Sequence, residues 1–198
     1  MIILPSTPGP VETRFSLVSA ANDLNAAFGG PTQRLGRRGS RWSCDVKMPP
    51  MVGEDARLWL SRLVRGEANV VAMAIVETGL PAQGPAGNDI RVDGAGQLGS
   101  TLAIKGVTPS YQIVEGKWLS VAFDGRAYLY MVTEDVTADA AGEAAVKIAP
   151  MLRASPPDNA VVSLNSPVIS GFVTPAGIGW SIDTANHYGL EFTIQEVA

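Results

Sequence analysis

The sequence predicts a mainly-β chain with one amphipathic helix and a small, inserted β-barrel-like module. Three observations predict it. Gly (21) and Pro (14) punctuate the whole length instead of gathering in one linker. The segments between them are short and β-rich, several alternating apolar with polar residues. One stretch alone breaks that pattern with helical spacing.

Strands are expected at Arg14–Ser19, Arg41–Met48, Val70–Thr78, Thr101–Lys105, Trp118–Phe123, Ala127–Thr133, Ala144–Ile148, Val161–Leu164, Ile169–Val173 and Glu191–Val197. Leu119, Val121 and Phe123 share one face of their strand, with Ser120 and Ala122 on the other. Asp124-Gly125 between two such strands is a strong hairpin signal. A second hairpin is expected through Ala140-Ala141-Gly142, pairing Tyr128–Thr133 with Ala144–Ile148. The helix is expected from Glu54 to Arg65, where Ala56, Trp59, Leu60, Leu63 and Val64 form one apolar stripe. Glu54 and Asp55 open it and arginines close it, which complements the helix dipole, and Gly66 is placed for a left-handed stop. Residues 1–80 with 160–198 are expected to form one sheet domain. After the loop Gly79–Asn88, the module spans residues 90–156.

Composition narrows the function classes. Charged residues are 17% of the chain, against roughly 25% in an average soluble domain, which fits a surface hidden against other subunits. A formal charge of −4 argues against dedicated nucleic-acid binding, which calls for a basic face. One cysteine, Cys44, excludes an internal disulfide and a cysteine-built zinc cage. The longest apolar run, Val70 to Val76, falls far short of the roughly 20 residues that cross a bilayer. The opening MIILPSTPGP lacks a basic region followed by a long apolar one, so no signal peptide is expected, and synthesis is cytoplasmic.

Catalytic chemistry has little to work with. Gly94-Ala95-Gly96-Gln97-Leu98-Gly99 matches the dinucleotide fingerprint in letters. That fingerprint needs a helix to follow, and Thr101-Leu102-Ala103-Ile104 reads as a strand. A glycine-rich turn is the better reading, and no cofactor is expected. His187 lies in a turn-like stretch, with no nucleophile elbow anywhere in the chain. Cys44 reads as a small core residue. The carboxylate pairs Glu54/Asp55 and Glu134/Asp135 are adjacent in sequence and point apart on a strand, and the first is explained by the helix N-terminus. No metal-loop spacing occurs. The chain is expected not to be an enzyme.

Arg34, Arg37, Arg38 and Arg41, interrupted by Gly36 and Gly39, form a cationic loop suited to carboxylate or phosphate. An acidic patch on a neighbouring subunit ranks first as its partner, ahead of solvent alone, with nucleic acid last. The four are therefore candidate subunit-interface residues.

A texture of small motifs then adds a family. It runs from Gln33, Gly39 and Arg41-Trp42 into Val46-Lys47-Met48-Pro49-Pro50-Met51, Ala56-x-x-Trp59-Leu60 and Gly66. It continues through Gly94-Ala95-Gly96-Gln97, Leu129-Tyr130-Met131-Val132-Thr133, Asp139-x-x-Gly142 and Ile148-x-Pro150-x-Leu152-Arg153. It closes on Tyr188-Gly189-Leu190-x-Phe192 and Glu196-Val197. Together these segments resemble tail proteins of long-tailed bacteriophages, particularly distal tail (Dit-like) proteins. The resemblance implies a β-sandwich domain with a helix that forms a ring, usually hexameric, joining the tail tube to the tail-tip hub, with an additional β-barrel module in some members. The expected partners are other copies of the chain, the tail tube protein and the hub or tip proteins, with no membrane and no specific nucleic acid. The expected location is the virion. Three alternatives remain: another minor tail or tail-completion component, a carbohydrate-binding β-sandwich using Trp42, Trp118, Trp180 and Tyr188, and, ranked third, an enzyme such as a wall hydrolase or esterase.

Overall fold

A computed structural model describes residues 1–25, 29–79, 84–173 and 178–197. In chain order the strands before the helix are β1 (Ile2–Ile3), β2 (Glu12–Val18), β3 (Asn22–Leu24), β4 (Gln33–Leu35) and β5 (Arg41–Lys47). The helix α1 (Gly53–Arg65) and β6 (Val71–Ala74) follow. Then come β7 (Arg91–Val92), β8 (Thr101–Lys105), β9 (Gln112–Ile113), β10 (Trp118–Phe123), β11 (Arg126–Val132), β12 (Val136–Thr137), β13 (Ala144–Ala149) and β14 (Val161–Ser163). The chain closes with β15 (Val168–Val173), β16 (Gly179–Ile182) and β17 (Tyr188–Glu196). The fold is mainly β with one helix, as expected.

Two sheets dominate. The first runs β1-β6-β15-β17-β5-β2, with β16 also paired to β17; every pairing is antiparallel except β1 with β6. The second closes on itself as a six-stranded barrel, β10-β11-β13-β8-β7-β14. Because β6 and β15 are hydrogen-bonded neighbours, the barrel is inserted in the connection between two adjacent strands of the first sheet. The boundary falls later than residue 160: β14 pairs with β10 and β7, so Val161–Ser163 belongs to the barrel and the sheet resumes at Val168. Of the expected loop Gly79–Asn88, residues 80–83 lie outside the described residues.

Side-chain alternation decides which face of the sheet is covered. Cys44 and Val46 on β5 and Leu190, Phe192 and Ile194 on β17 point to one side and are buried. Asp45, Lys47 and Glu191 point to the other and are exposed. The covered side is stacked against α1 through Ala56, Trp59 and Leu63, and against Trp118 and Leu129 of the barrel. Trp59 meets Phe192 with ring centroids 6.0 Å apart. A separate cluster fills the barrel, including Val92, Leu102, Ile104, Leu119, Val121 and Val146.

The helix departs from its expected form in two respects. Val64 is 52% exposed, so the buried stripe is Ala56, Trp59 and Leu63, with Leu60 at its margin. Gly66 ends the helix right-handed, at φ −72° and ψ −11°. Its lack of a side chain serves contact instead: a Cβ there would run into Cγ1 of Val71. The Asp124-Gly125 turn forms as expected, both residues with positive φ (50° and 71°), which suits a two-residue hairpin linking β10 to β11. In the other hairpin β11 pairs β13 only at Met131–Ala149 and Val132–Ile148.

Trp59→Ala is expected to lower the unfolding free energy by about 3–5 kcal/mol, as large-to-small changes in packed cores do. Leu58→Ala, on the exposed side of the same helix, is expected to change it by less than about 0.5 kcal/mol. Urea denaturation of the two variants separates these outcomes.

Candidate functional site

The four arginines singled out in the sequence do not form one cluster. Between β2 and β5 the chain leaves the sheet edge, and among the described residues there β3 and β4 form a separate two-stranded ribbon. All six ribbon residues are exposed, so this segment is an arm. Arg34 faces Asp23 across the ribbon in a two-pronged ion pair, Nε to Oδ1 at 2.6 Å and Nη2 to Oδ2 at 2.8 Å. The Arg34 guanidinium pulls the Asp23 carboxyl below its ordinary range. Arg41 begins β5 half-buried, with Nη1 3.5 Å from the Gly39 carbonyl. Arg37 and Arg38, at the base of the arm, are exposed and have no ion-pair or hydrogen-bond partner among the described residues. Two of the four are thus available to another molecule.

The glycine-rich motif is a turn. Gly94, Gly96 and Gly99 all have positive φ, and the strand β8, not a helix, follows. Gln97 pins the turn: its Nε2 donates to the carbonyls of Asp93, Gly94 and Ala103, and its Oε1 accepts the Ala103 N–H. The Gly94 N–H is taken by the protein's own Asp158 carboxylate, at 2.9 Å. His187 belongs to the β16–β17 turn, where Asp183 accepts the N–H groups of Ala185 and His187 and its Oδ2 lies 3.3 Å from His187 Nδ1. Cys44 is fully buried, and desolvation, helped by Asp45, pushes its thiol up to about 12. Among the described residues no group of three or more His, Cys, Asp or Glu side chains is placed to hold a metal ion. Of the aromatic residues, Trp42 packs edge-on to Trp118 at 4.8 Å and Phe15 lies 4.9 Å from Trp118. Trp180 alone of the four tryptophans is largely exposed, at 49%.

The most organised polar site is one that sequence reasoning missed: the junction between barrel and sheet. The buried polar residues Lys117, Ser120, Ser170 and Glu196 all lie there. Glu196 Oε1 accepts from Arg153 Nη2 at 2.6 Å and from the Leu129 N–H at 2.8 Å, and Oε2 accepts from the Trp42 N–H at 2.8 Å. The paired side chains are 4% and 1% exposed. Burial pushes the Glu196 carboxyl above its ordinary value, against the opposing pull of Arg153 and the backbone donors. The Arg153 guanidinium also lies over the ring of Tyr128, 5.1 Å from its centroid. A second pair joins Lys117 Nζ to Glu77 Oε2 at 3.5 Å, while Glu77 Oε1 accepts the Trp118 N–H. Ser170 Oγ both accepts the Ala127 N–H and donates to the Ala127 carbonyl. Ser120 Oγ accepts the Val168 N–H.

These contacts explain how the barrel can abut the sheet without orphaned backbone. The pairing of β11 with β13 stops at Met131, leaving its edge from Ala127 to Leu129 to be satisfied by Ser170 and Glu196. The missed pair had one legible signal. On the inward row Leu190, Phe192, Ile194, the next position is Glu196, a charge where alternation calls for an apolar residue. Its partner Arg153 lies 43 positions away, and no spacing rule reaches that far.

No helix among the described residues is long and apolar enough to cross a membrane. No protein-family model matches the chain, and no curated protein matches it.

Glu196→Ala is expected to cost about 3–5 kcal/mol, because it leaves the Arg153 charge buried and unpaired. The double change Arg153→Met with Glu196→Leu is expected to recover part of that loss, the Leu129 and Trp42 N–H groups staying unpaired, and denaturant titration of the double variant with its two single components, Arg153→Met and Glu196→Leu, gives the coupling. Cys44 is expected to resist an alkylating reagent at neutral pH in the native protein and to react at once in denaturant, since the thiolate is the nucleophile; mass spectrometry reads the adduct.

Proposed function

We propose that this chain is a structural component of a phage tail, a protein resembling the distal tail family that assembles into a ring between the tail tube and the tail-tip hub. The observation that supports this best is the pairing of a helix-backed sheet, from whose edge a bare arm projects, with a closed barrel inserted between two of its strands. The resemblance implies the same two parts, a helix-bearing β domain that forms the ring and a β-barrel module. The physical demands of a ring also suit the molecule. A ring subunit presents two different surfaces to its neighbours, and the contact closes by rotation. Among the described residues β2 ends the sheet with one side unpaired, a hazard in isolation that a neighbouring copy would remove. Low overall charge accords with the depletion of charged residues at interface cores.

In this role the barrel is carried rather than mobile. The buried ion pairs Glu196–Arg153 and Glu77–Lys117 hold it against the sheet, so force on one part is transmitted to the other. The chemistry is that of mechanical joining, with no bond made or broken. Carbohydrate binding at the cell surface is the weaker reading. Trp42, Trp118 and Tyr188 pack against the sheet core, which leaves Trp180 as the one exposed indole available to a sugar ring.

In purified particles of a phage that encodes this chain, mass spectrometry is expected to find it in a few copies per virion, and native mass spectrometry of the isolated chain is expected to find closed oligomers. Its absence from particles would overturn the proposal.

A further inference from the structure

The arm is the part of the molecule with the least support from its own chain. Its ribbon has three residues in each strand, and two-stranded hairpins standing alone are marginal in water. Leu24 and Leu35 are exposed on it and Leu17 is exposed where it leaves the sheet, so it gains from being covered.

Charge says by what. Between residues 19 and 41 the chain carries four arginines against one aspartate, whereas residues 84–166 carry nine carboxylates against six lysines and arginines. The arm is basic and the barrel acidic. Arg34 is committed to Asp23, which leaves Arg37 and Arg38. On the barrel, Asp139 and Glu143 are exposed and have no cationic partner among the described residues. They flank a shallow cleft of ≈ 250 Å³ that also takes in Ala103, Ile104 and Ala144. Asp93, also on the cleft, is shared with Lys105 at 3.4 Å. The unpaired cations and the unpaired carboxylates thus sit on different modules of one chain and find no complement among the described residues.

Building on the ring-forming reading above, we propose that the arm of one copy docks on the barrel of the next, with Arg37 and Arg38 meeting the Asp139–Glu143 cleft and Leu24 and Leu35 covered alongside. Guanidinium groups match carboxylates in a planar, two-pronged geometry. Exposed ion pairs are individually weak, so the charges select partner and orientation while the leucines supply burial. Because the two surfaces differ, the contact can repeat head to tail, and it closes into a ring where the rotation between copies closes.

The test is the oligomeric state of the full chain at low and high salt, by sedimentation or native mass spectrometry. The variants are Arg37→Glu/Arg38→Glu on the arm and Glu143→Arg on the barrel. Asp139 is spared because its Oδ1 accepts the Ala141 and Glu143 N–H groups and shapes the turn. The three substituted side chains are exposed, and circular dichroism is expected to be unchanged. Each variant alone is expected to need about tenfold more protein to assemble, equivalent to roughly 1.4 kcal/mol, and an equimolar mixture of the two is expected to recover assembly. Assembly of the wild-type chain that neither variant weakens would overturn the docking while leaving the ring reading intact. So would weakening by both with no recovery on mixing. A wild-type chain that never assembles, alone or in particles, would overturn the ring reading, and the docking with it.

Discussion

Glu196 carries a charge on the covered face of the sheet, where every neighbour in its row is apolar. Its two oxygens are held by N–H donors from three segments far apart in sequence: Trp42 on β5, Leu129 on β11 and Arg153 after β13. A buried carboxylate is costly unless paired and hydrogen-bonded, so the presence of Glu196 requires the barrel to sit where Arg153 and Leu129 reach it. Gly171, opposite Glu196 on β15, meets the same demand from the other side. A Cβ at that position would run into the Gln195 carbonyl, so only glycine lets the two strands approach as they do.

Such a junction sets geometry more than it adds stability. Replacing a buried ion pair with packed apolar residues is often neutral or favourable, and apolar contacts tolerate sliding. Directional bonds do not. Glu77–Lys117 lies where the chain enters the barrel, beside the exit, where the Pro167 carbonyl accepts the Ile75 N–H, and Arg153–Glu196 adds a second tie between barrel and sheet. A module inserted through two adjacent chain crossings and tied to the sheet by two ion pairs has little freedom to turn.

The arm follows the opposite logic. Among the described residues no buried ion pair holds it, its ribbon residues are exposed, and its charge is opposite in sign to that of the barrel. One chain therefore combines a rigid internal joint with an extended, weakly supported surface. That combination makes sense where the subunit is finished by its neighbours, and the proposed ring would supply the missing cover.

The local elements were legible in the sequence. Alternation marked β8 and β10, Asp124-Gly125 marked the turn between β10 and β11, and the spacing of Ala56, Trp59 and Leu63 marked the helix, because each of these depends on residues within a turn or two of one another. Strands of two residues, such as β1, β7 and β12, left no periodic signal to read. The extent of the barrel was half legible: Val161–Ser163 reads as a strand, but only its partners β7 and β10 assign it to the barrel. Of the four arginines, the sequence showed the charge and not its disposition; a cross-strand pairing took Arg34 and left Arg37 and Arg38. The residues that join the two modules were hidden for the same reason. Sequence by itself determined the helix, most of the longer strands and the charge each segment carried, since those are short-range properties. Tertiary structure alone decided which charges were buried, paired or left open, since that depends on contacts between segments that sequence order keeps apart.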